Sequence, residues 1–199
     1  MKVDTMHLFI TKRCTNNCPL CCNNNYDIEK VPLPSEEELS SVSTVCLTGG
    51  DPFLLGEKLD KIVNALRSRE NIKNIYIFTS GYACYLYLNK YKVLPDINGI
   101  TFSPKSEKDW SAISNLMETY DHTTNRILGY EDVINSLSSN RIYAFIEKYD
   151  DCNYTINNDY LDILSQAHEY LGCKVFFRTW VEDFNSPENE IFRRLENYD

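Results

Sequence analysis

Six short apolar segments, each ending in polar or turn residues, recur along the chain and limit what it can fold into. Their β-branched and aromatic residues are typical of buried strands. The segments span residues 6–11, 44–48, 74–80, 99–103, 141–147 and 174–180. Segments with helical periodicity or helix-start signals lie between them, at residues 34–41, 56–69, 105–120 and 157–172. This alternation predicts βαβ units and a parallel sheet.

Six such units fill most of a 199-residue chain, so we expect one α/β domain over residues 1–199. The count is too small for a closed eight-stranded barrel, but an open barrel or a doubly wound sheet would fit. In both architectures the chemistry lies at the carboxyl ends of the strands. Functional residues are therefore expected in the loops that directly follow strands.

Charge and hydropathy exclude several classes of protein. The formal net charge of −9 argues against a large nucleic-acid surface, because phosphate binding is dominated by Lys and Arg. No apolar run approaches the length of a membrane span, and the N-terminal residues lack the features of a signal peptide. We therefore expect a cytoplasmic protein, in which cysteines are reduced, metal-bound or catalytic rather than paired in disulfides.

Four of the eight cysteines lie within residues 14–22. Cys14, Cys18 and Cys21 form C-x3-C-x2-C in a loop over residues 12–25, directly after the first predicted strand. The spacing is too short for unstrained disulfides. A structural zinc site usually needs four ligands in two separated pairs, whereas Cys22 is adjacent to Cys21 and no second C-x2-C exists. Three thiols without a clear fourth favour a [4Fe–4S] cluster with one open iron.

The remaining cysteines are scattered, mostly inside or beside apolar runs, and are expected to be buried core thiols: Cys46, Cys84, Cys152 and Cys173. His7 on the first strand or His168 on a predicted helix could supply a fourth ligand to the loop. Neither has a partner at ligand spacing.

C-x3-C-x2-C after the first strand of an α/β chain resembles the signature of the radical S-adenosylmethionine (SAM) superfamily. The resemblance implies an open, partial (βα)6 TIM-like barrel, with Cys14, Cys18 and Cys21 as the ligands of a [4Fe–4S] cluster. It implies that SAM chelates the open iron. One electron from the cluster would cleave SAM to a 5′-deoxyadenosyl radical, which abstracts hydrogen from a substrate. Cys22 is then a spectator.

A second motif, "TGGDP" at residues 48–52, follows the second predicted strand. Gly49 and Gly50 permit close backbone approach, and Asp51 with Pro52 turns the chain toward the next helix. Alone, this could be an ordinary strand-to-helix turn. In position it resembles the superfamily's "GGE" motif, which holds the SAM amino group, so the resemblance implies that Gly49, Gly50 and Asp51 bind SAM.

Polar residues follow three other predicted strands. The resemblance implies that Thr79, Ser80 and Ser103 bind the carboxylate or ribose of SAM. Arg178 lies in an apolar run and needs a carboxylate partner, which could be SAM, the substrate or a structural Asp. Each of these residues also fits a simple strand end, and Lys105 fits either an anionic substrate or a solvated surface.

The substrate is open to several interpretations: a small molecule, a nucleotide-like compound or a peptide. "LTGGDP" and "SPK" resemble the 7-carboxy-7-deazaguanine synthases, although the Asp-Thr that commonly follows the last cluster cysteine there is absent. A glycyl-radical activase or a peptide-modifying enzyme also fits. The non-enzyme alternative is a zinc- or cluster-stabilised binding module. Lys12 and Arg13 could dock an acidic electron donor such as a flavodoxin or ferredoxin.

The cysteine assignment predicts different outcomes for two neighbouring substitutions. Cys14→Ala should abolish cluster binding, because it removes one of three ligands. Cys22→Ala should leave the cluster intact. Iron and sulfide content after anaerobic reconstitution measures both, and equal loss in the two variants would contradict the division into three ligands and one spectator.

Overall fold

The computed structural model describes most of the chain, namely residues 3–19, 21–25, 27–117, 120–121, 126–127, 130, 133–134, 136–145, 158–178 and 188–196. Its strands are β1 Thr5–Thr11, β2 Thr44–Gly49, β3 Asn74–Thr79, β4 Gly99–Phe102, β5 Tyr120–Asp121, β6 Arg126–Ile127, β7 Asn140–Phe145, β8 Cys173–Arg178 and β9 Glu190–Arg194. Its helices are α1 Glu36–Ser41, α2 Glu57–Arg67, α3 Tyr82–Tyr91, α4 Glu107–Met117 and α5 Asn158–Tyr170. Short 3-10 helices span Cys22–Asn25, Ile28–Lys30 and Pro52–Leu55.

The chain divides into two compact units. The first comprises residues 1–78, 95–98 and 181–199, and it contains β1, β2, β3 and β9. The second comprises residues 79–94 and 99–180, and it contains the other strands with helices α3, α4 and α5.

In the first unit the strand order is β9-β1-β2-β3, in which β1 pairs in parallel with β9 and with β2, and β2 pairs in parallel with β3. β1 therefore lies between β9 and β2, and its residues from Phe9 to Thr11 are buried. α1 begins at a complete capping box, in which Ser35 and Glu38 bond each other's backbone N–H groups. The sequence predicts an apolar stripe of Leu59, Ile62, Val63 and Leu66 on α2; Leu59, Val63 and Leu66 are buried, whereas Ile62 is half-buried.

In the second unit β4, β7 and β8 are parallel, in the order β8-β7-β4. β4 is buried at all four of its positions, and α4 covers the core with Trp110, Ile113 and Leu116. β5 and β6 form a separate two-residue antiparallel pair. Gly172, with φ of +59°, follows α5 where the sequence predicts a stop.

The predicted α/β class with parallel strands is confirmed, and each of the six predicted strands is found. Residues 146–147 and 179–180, at the ends of the last two predictions, lie outside the described residues. Among the described residues, a seventh parallel strand joins the six that were predicted. β9 pairs in parallel with β1, from Thr5 opposite Glu190 to Phe9 opposite Arg194.

The sequence prediction missed β9 and α3 for different physical reasons. β9 reads "EIFRR" and is partly exposed at all five positions, because an edge strand does not need a continuous apolar run. α3 reads "YACYLYLNKY", whose aromatic content conceals helical periodicity. No helix in the described ranges is long and apolar enough to cross a membrane.

Asparagine side chains close the amino ends of strands. Asn98 accepts a hydrogen bond from Ile75 N–H at 2.8 Å. Asn140 accepts one from Ile100 N–H at 3.2 Å and donates to the carbonyls of Ile134 and Leu171. These amides satisfy backbone groups that a sheet edge would leave exposed. At the amino ends of these strands, the side chains therefore stabilise the sheet.

β9 is also tied to α1 by an ion pair, which predicts a pH dependence. The hydrogen bonds from Arg193 to Glu38 hold the pKa of that carboxyl below its usual 4.5. Because the pKa is lowered, the ionised Glu38 stabilises the folded state at pH values above 4.5. That stabilisation is lost as the pH falls through the lowered pKa. Glu38→Gln should lower the free energy of unfolding at neutral pH by about 1 kcal/mol, and by progressively less in acid.

Urea denaturation at neutral and acidic pH measures this difference. Glu37→Gln is the matched control, since it removes the same charge from the same helix turn at an exposed position. Gln at position 38 can still complete the capping box. Equal losses for both variants, or a Glu38→Gln loss that does not depend on pH, would contradict the assignment.

Candidate functional site

The three motif cysteines lie in one loop at the carboxyl end of β1. Cys14 is exposed, and Cys18 and Cys21 are partly exposed. The loop is shaped by its own backbone: Asn16 N–H donates to Cys14 Sγ at 3.4 Å, and Cys21 N–H donates to the Cys18 carbonyl at 3.1 Å. Three thiols are therefore accessible within one turn-rich segment.

The other cysteines behave as the sequence predicts, since Cys46, Cys84 and Cys173 are buried in the core. Burial raises the pKa of the Cys173 thiol to about 12, so this side chain remains protonated at neutral pH. Cys152 lies outside the described residues. Cys22 begins a 3-10 helix that ends at Asn25, and its side chain lies outside the description.

The cysteine loop is hydrogen-bonded to the Gly-Gly-Asp motif at the end of β2. Gly50 N–H donates to the Thr11 carbonyl at 2.6 Å, and Asp51 N–H donates to the Arg13 carbonyl at 2.6 Å. A Cβ atom at Gly49 or Gly50 would overlap the carbonyl oxygen of Thr11 or Arg13 respectively. The two glycines are therefore required by the close approach of the segment that leads into Cys14.

The far side of the loop returns to the same motif. The Asn23 side-chain amide donates to the Gly49 carbonyl at 2.5 Å, and Asn24 N–H donates to the Cys21 carbonyl at 2.8 Å. Sequence reasoning missed Asn23, although the asparagine run that follows the cysteines was a visible signal of side-chain bonding to backbone. Because a carbonyl oxygen has two lone pairs, this bond still permits a second donor at Gly49.

Asp51 is 1% exposed, and its side chain does not cap the short helix that Pro52 begins. Burial of a carboxylate is costly unless the group is paired.

Lys12 and Arg13, predicted to dock an electron donor, are both exposed. Lys12 forms an ion pair with Glu29 at 2.8 Å, which reduces the positive charge that this side of the loop presents. His7 Nε2 lies 2.7 Å from a Glu190 carboxylate oxygen, and His168 Nδ1 lies 3.0 Å from the Cys173 carbonyl. Each histidine is thus engaged with another group.

Within the described ranges, no group of three or more His, Cys, Asp or Glu side chains is gathered closely enough to hold a metal ion. The thiols of Cys14, Cys18 and Cys21 share a loop without converging. Their chemistry and accessibility nevertheless fit an iron–sulfur cluster, whose ligands are cysteine thiolates.

The other residues that were predicted to bind SAM belong to the second unit. Thr79 is buried, and its hydroxyl accepts from Gly81 N–H at 3.2 Å. Ser80 is also buried. Ser103 donates its N–H to the Thr79 carbonyl at 2.8 Å, and its hydroxyl accepts from Lys105 Nζ at 2.7 Å. Arg178 is the last residue of β8, and its side chain lies outside the description.

Asp109 organises these strand ends and was missed from the sequence. It is fully buried, and its carboxylate accepts from the Ser106 hydroxyl at 2.7 Å, from Lys105 N–H at 3.0 Å and from Tyr82 N–H at 3.4 Å. It thereby connects the turn before α3 to the turn before α4. Ser106 and Asp109 have the S-x-x-D spacing of a capping box, which was the available signal.

Comparison with protein-family models and with curated proteins finds no match for this chain.

The close contact at Gly50 predicts the effect of adding one methyl group. Gly50→Ala should push the segment around Arg13 away from the end of β2, lowering the free energy of unfolding by about 1–3 kcal/mol. It should also change the alkylation rates of Cys14, Cys18 and Cys21, which mass spectrometry can follow residue by residue.

Gly81→Ala is the control, because it alters a strand-end glycine of the second unit. Gly81 has φ of +120°, and a Cβ atom there would contact Ile113. This variant should lose stability without altering the three alkylation rates. Equal changes in both variants would show that the thiols respond to general destabilisation instead of to the Gly50 contact.

Proposed function

We propose that the protein is a radical SAM enzyme, which holds a [4Fe–4S] cluster through Cys14, Cys18 and Cys21 and binds SAM beside it. The observation that carries the proposal is the direct contact between the cysteine loop and the Gly-Gly-Asp motif. Gly50 and Asp51 N–H groups reach the carbonyls of Thr11 and Arg13 at 2.6 Å. Two motifs separated in sequence, each resembling one part of the superfamily signature, form a single site.

The chemistry of the donors also supports the proposal. Three accessible thiols follow a central parallel strand, at the edge where α/β proteins place their ligands. The core cysteines are buried and cannot substitute for them. A structural zinc site would need a fourth ligand, and His7 and His168 are both engaged elsewhere.

When bound, the cluster would supply the electron that cleaves SAM to the radical that abstracts hydrogen from the substrate. The chain's own residues bind and orient the reactants. The carbonyl of Gly49 and the carboxylate of Asp51 would accept hydrogen bonds from the SAM amino group, the second of them charge-assisted. In the second unit, Thr79, Ser80, Ser103 and Arg178 have the roles toward the SAM carboxylate and ribose that the resemblance implies.

The finer fold belongs to the same proposal. The six strands predicted from the sequence, which are β1 to β4, β7 and β8, would form the open barrel of the superfamily. β9 would be an addition beside β1. An electron donor such as a flavodoxin or ferredoxin would meet the loop near Arg13, which is exposed.

The decisive experiment is anaerobic reconstitution with iron and sulfide, followed by reduction with dithionite in the presence of SAM. We expect 5′-deoxyadenosine to form, because one-electron cleavage of SAM releases it after hydrogen abstraction. Chromatography with mass detection measures the product. Cys18→Ala should reduce product to the level of a reaction without protein.

Cys22→Ala provides the matched control, since it removes a neighbouring thiol and should retain product formation. An intact cluster that yields no 5′-deoxyadenosine would overturn the proposal. A colourless protein that binds zinc at the same three cysteines would instead support a binding module.

A further inference from the structure

We propose that β9 positions the cysteine loop. The spatial arrangement of the three thiols then depends on a strand that contributes no ligand. The thiols' role as cluster ligands rests on the proposed function, but the positioning itself does not. The strand acts through the return segment, defined as residues 28–32, which brings the chain back from the cysteines.

The return segment packs on β9 through an apolar cluster. Ile28 and Val31 are buried against Phe9, and Phe192 and Leu195 pack on the same cluster. The rings of Phe9 and Phe192 meet edge to face, with centroids 6.4 Å apart. Phe192 thus packs on the cluster in which the strand before the cysteines meets the segment after them.

Backbone hydrogen bonds place β9 between the same two partners. Leu195 N–H donates to the Phe9 carbonyl at 2.9 Å, and Arg194 N–H donates to the Pro32 carbonyl at 3.1 Å. The Arg194 guanidinium also reaches the Glu29 carbonyl at 3.4 Å. The end of β9 is therefore bonded on one side to β1 and on the other to the return segment.

Together, these contacts hold the cysteine loop at both of its ends. The entry of the loop is bonded to Gly50 and Asp51, and its exit is held by Asn23 at Gly49 and by the return segment on β9. Fixing both ends of a loop removes conformations that a ligand would otherwise have to select against. Loosening the exit should therefore weaken any ligand that needs all three thiols.

The ring of Phe192 offers a specific test, because β9 pairs with β1 through backbone groups, which the substitution does not remove. In Phe192→Ala, amide hydrogens of residues 12–31 should exchange at least about fivefold faster, since local opening becomes easier when apolar contacts are lost. Exchange in α2 should stay as in the wild type. Mass spectrometry of the full-length, iron-free protein measures both regions.

Phe177→Ala is the matched control. It makes the same change on β8, an edge strand of the second unit, where the side chain is 56% exposed, and it should leave residues 12–31 unaffected. Val31→Ala removes apolar contacts of the same cluster from the return segment, so it should reproduce the Phe192→Ala effect. It serves as a second variant if Phe192→Ala does not fold. Phe192→Leu, which keeps most of the apolar volume, should largely restore slow exchange.

Unchanged exchange in residues 12–31 would overturn the inference, and so would an equal acceleration in α2, which would indicate general destabilisation. Cluster release to a chelator forms a second readout, and we expect it to be several-fold faster in Phe192→Ala. If the wild type binds no cluster while exchange still responds as expected, the proposed function fails and the positioning role stands.

Discussion

The arrangement of the candidate site depends on one short contact, in which the backbone after β2 meets the backbone after β1. Gly50 and Asp51 donate to Thr11 and Arg13 at 2.6 Å each, and only residues without a Cβ atom allow the approach at positions 49 and 50. Parallel pairing of the two strands brings their carboxyl ends together, but pairing alone does not fix the loops beyond them. By allowing this close contact, the two glycines fix the position of the first residues of the cysteine loop.

The two ends of the strands use side chains in opposite ways. At the amino ends, the amides of Asn98 and Asn140 satisfy backbone groups and close the sheet. At the carboxyl ends, the hydrogen bonds join one loop to another, as Asn23 does to Gly49 and Asp109 does to Tyr82, or stay within one turn, as between Gly81 and Thr79. Connecting loops of this kind can vary without disturbing the strand pairing.

Much of the fold could be predicted, because apolar runs and helical stripes report burial directly. The buried strands and the α2 stripe were found on this basis. β9 was missed because a partly exposed edge strand carries little apolar signal, and α3 was missed because its tyrosines obscure its period. The cysteine spacing and the Gly-Gly-Asp motif located the candidate site, whereas Asn23 and Asp109 act through bonds that become visible only once distant segments meet.

The position of β9 in the chain has a consequence for synthesis. Residues 190–194 leave the ribosome long after Cys21, at typical rates about 10–30 s later. During that interval the nascent chain carries the three thiols without the strand against which the return segment packs. A metal or oxidant that reaches the thiols in this interval meets a loop whose return segment is not yet packed on β9. The order of translation thus makes the thiols available before the strand that supports their loop.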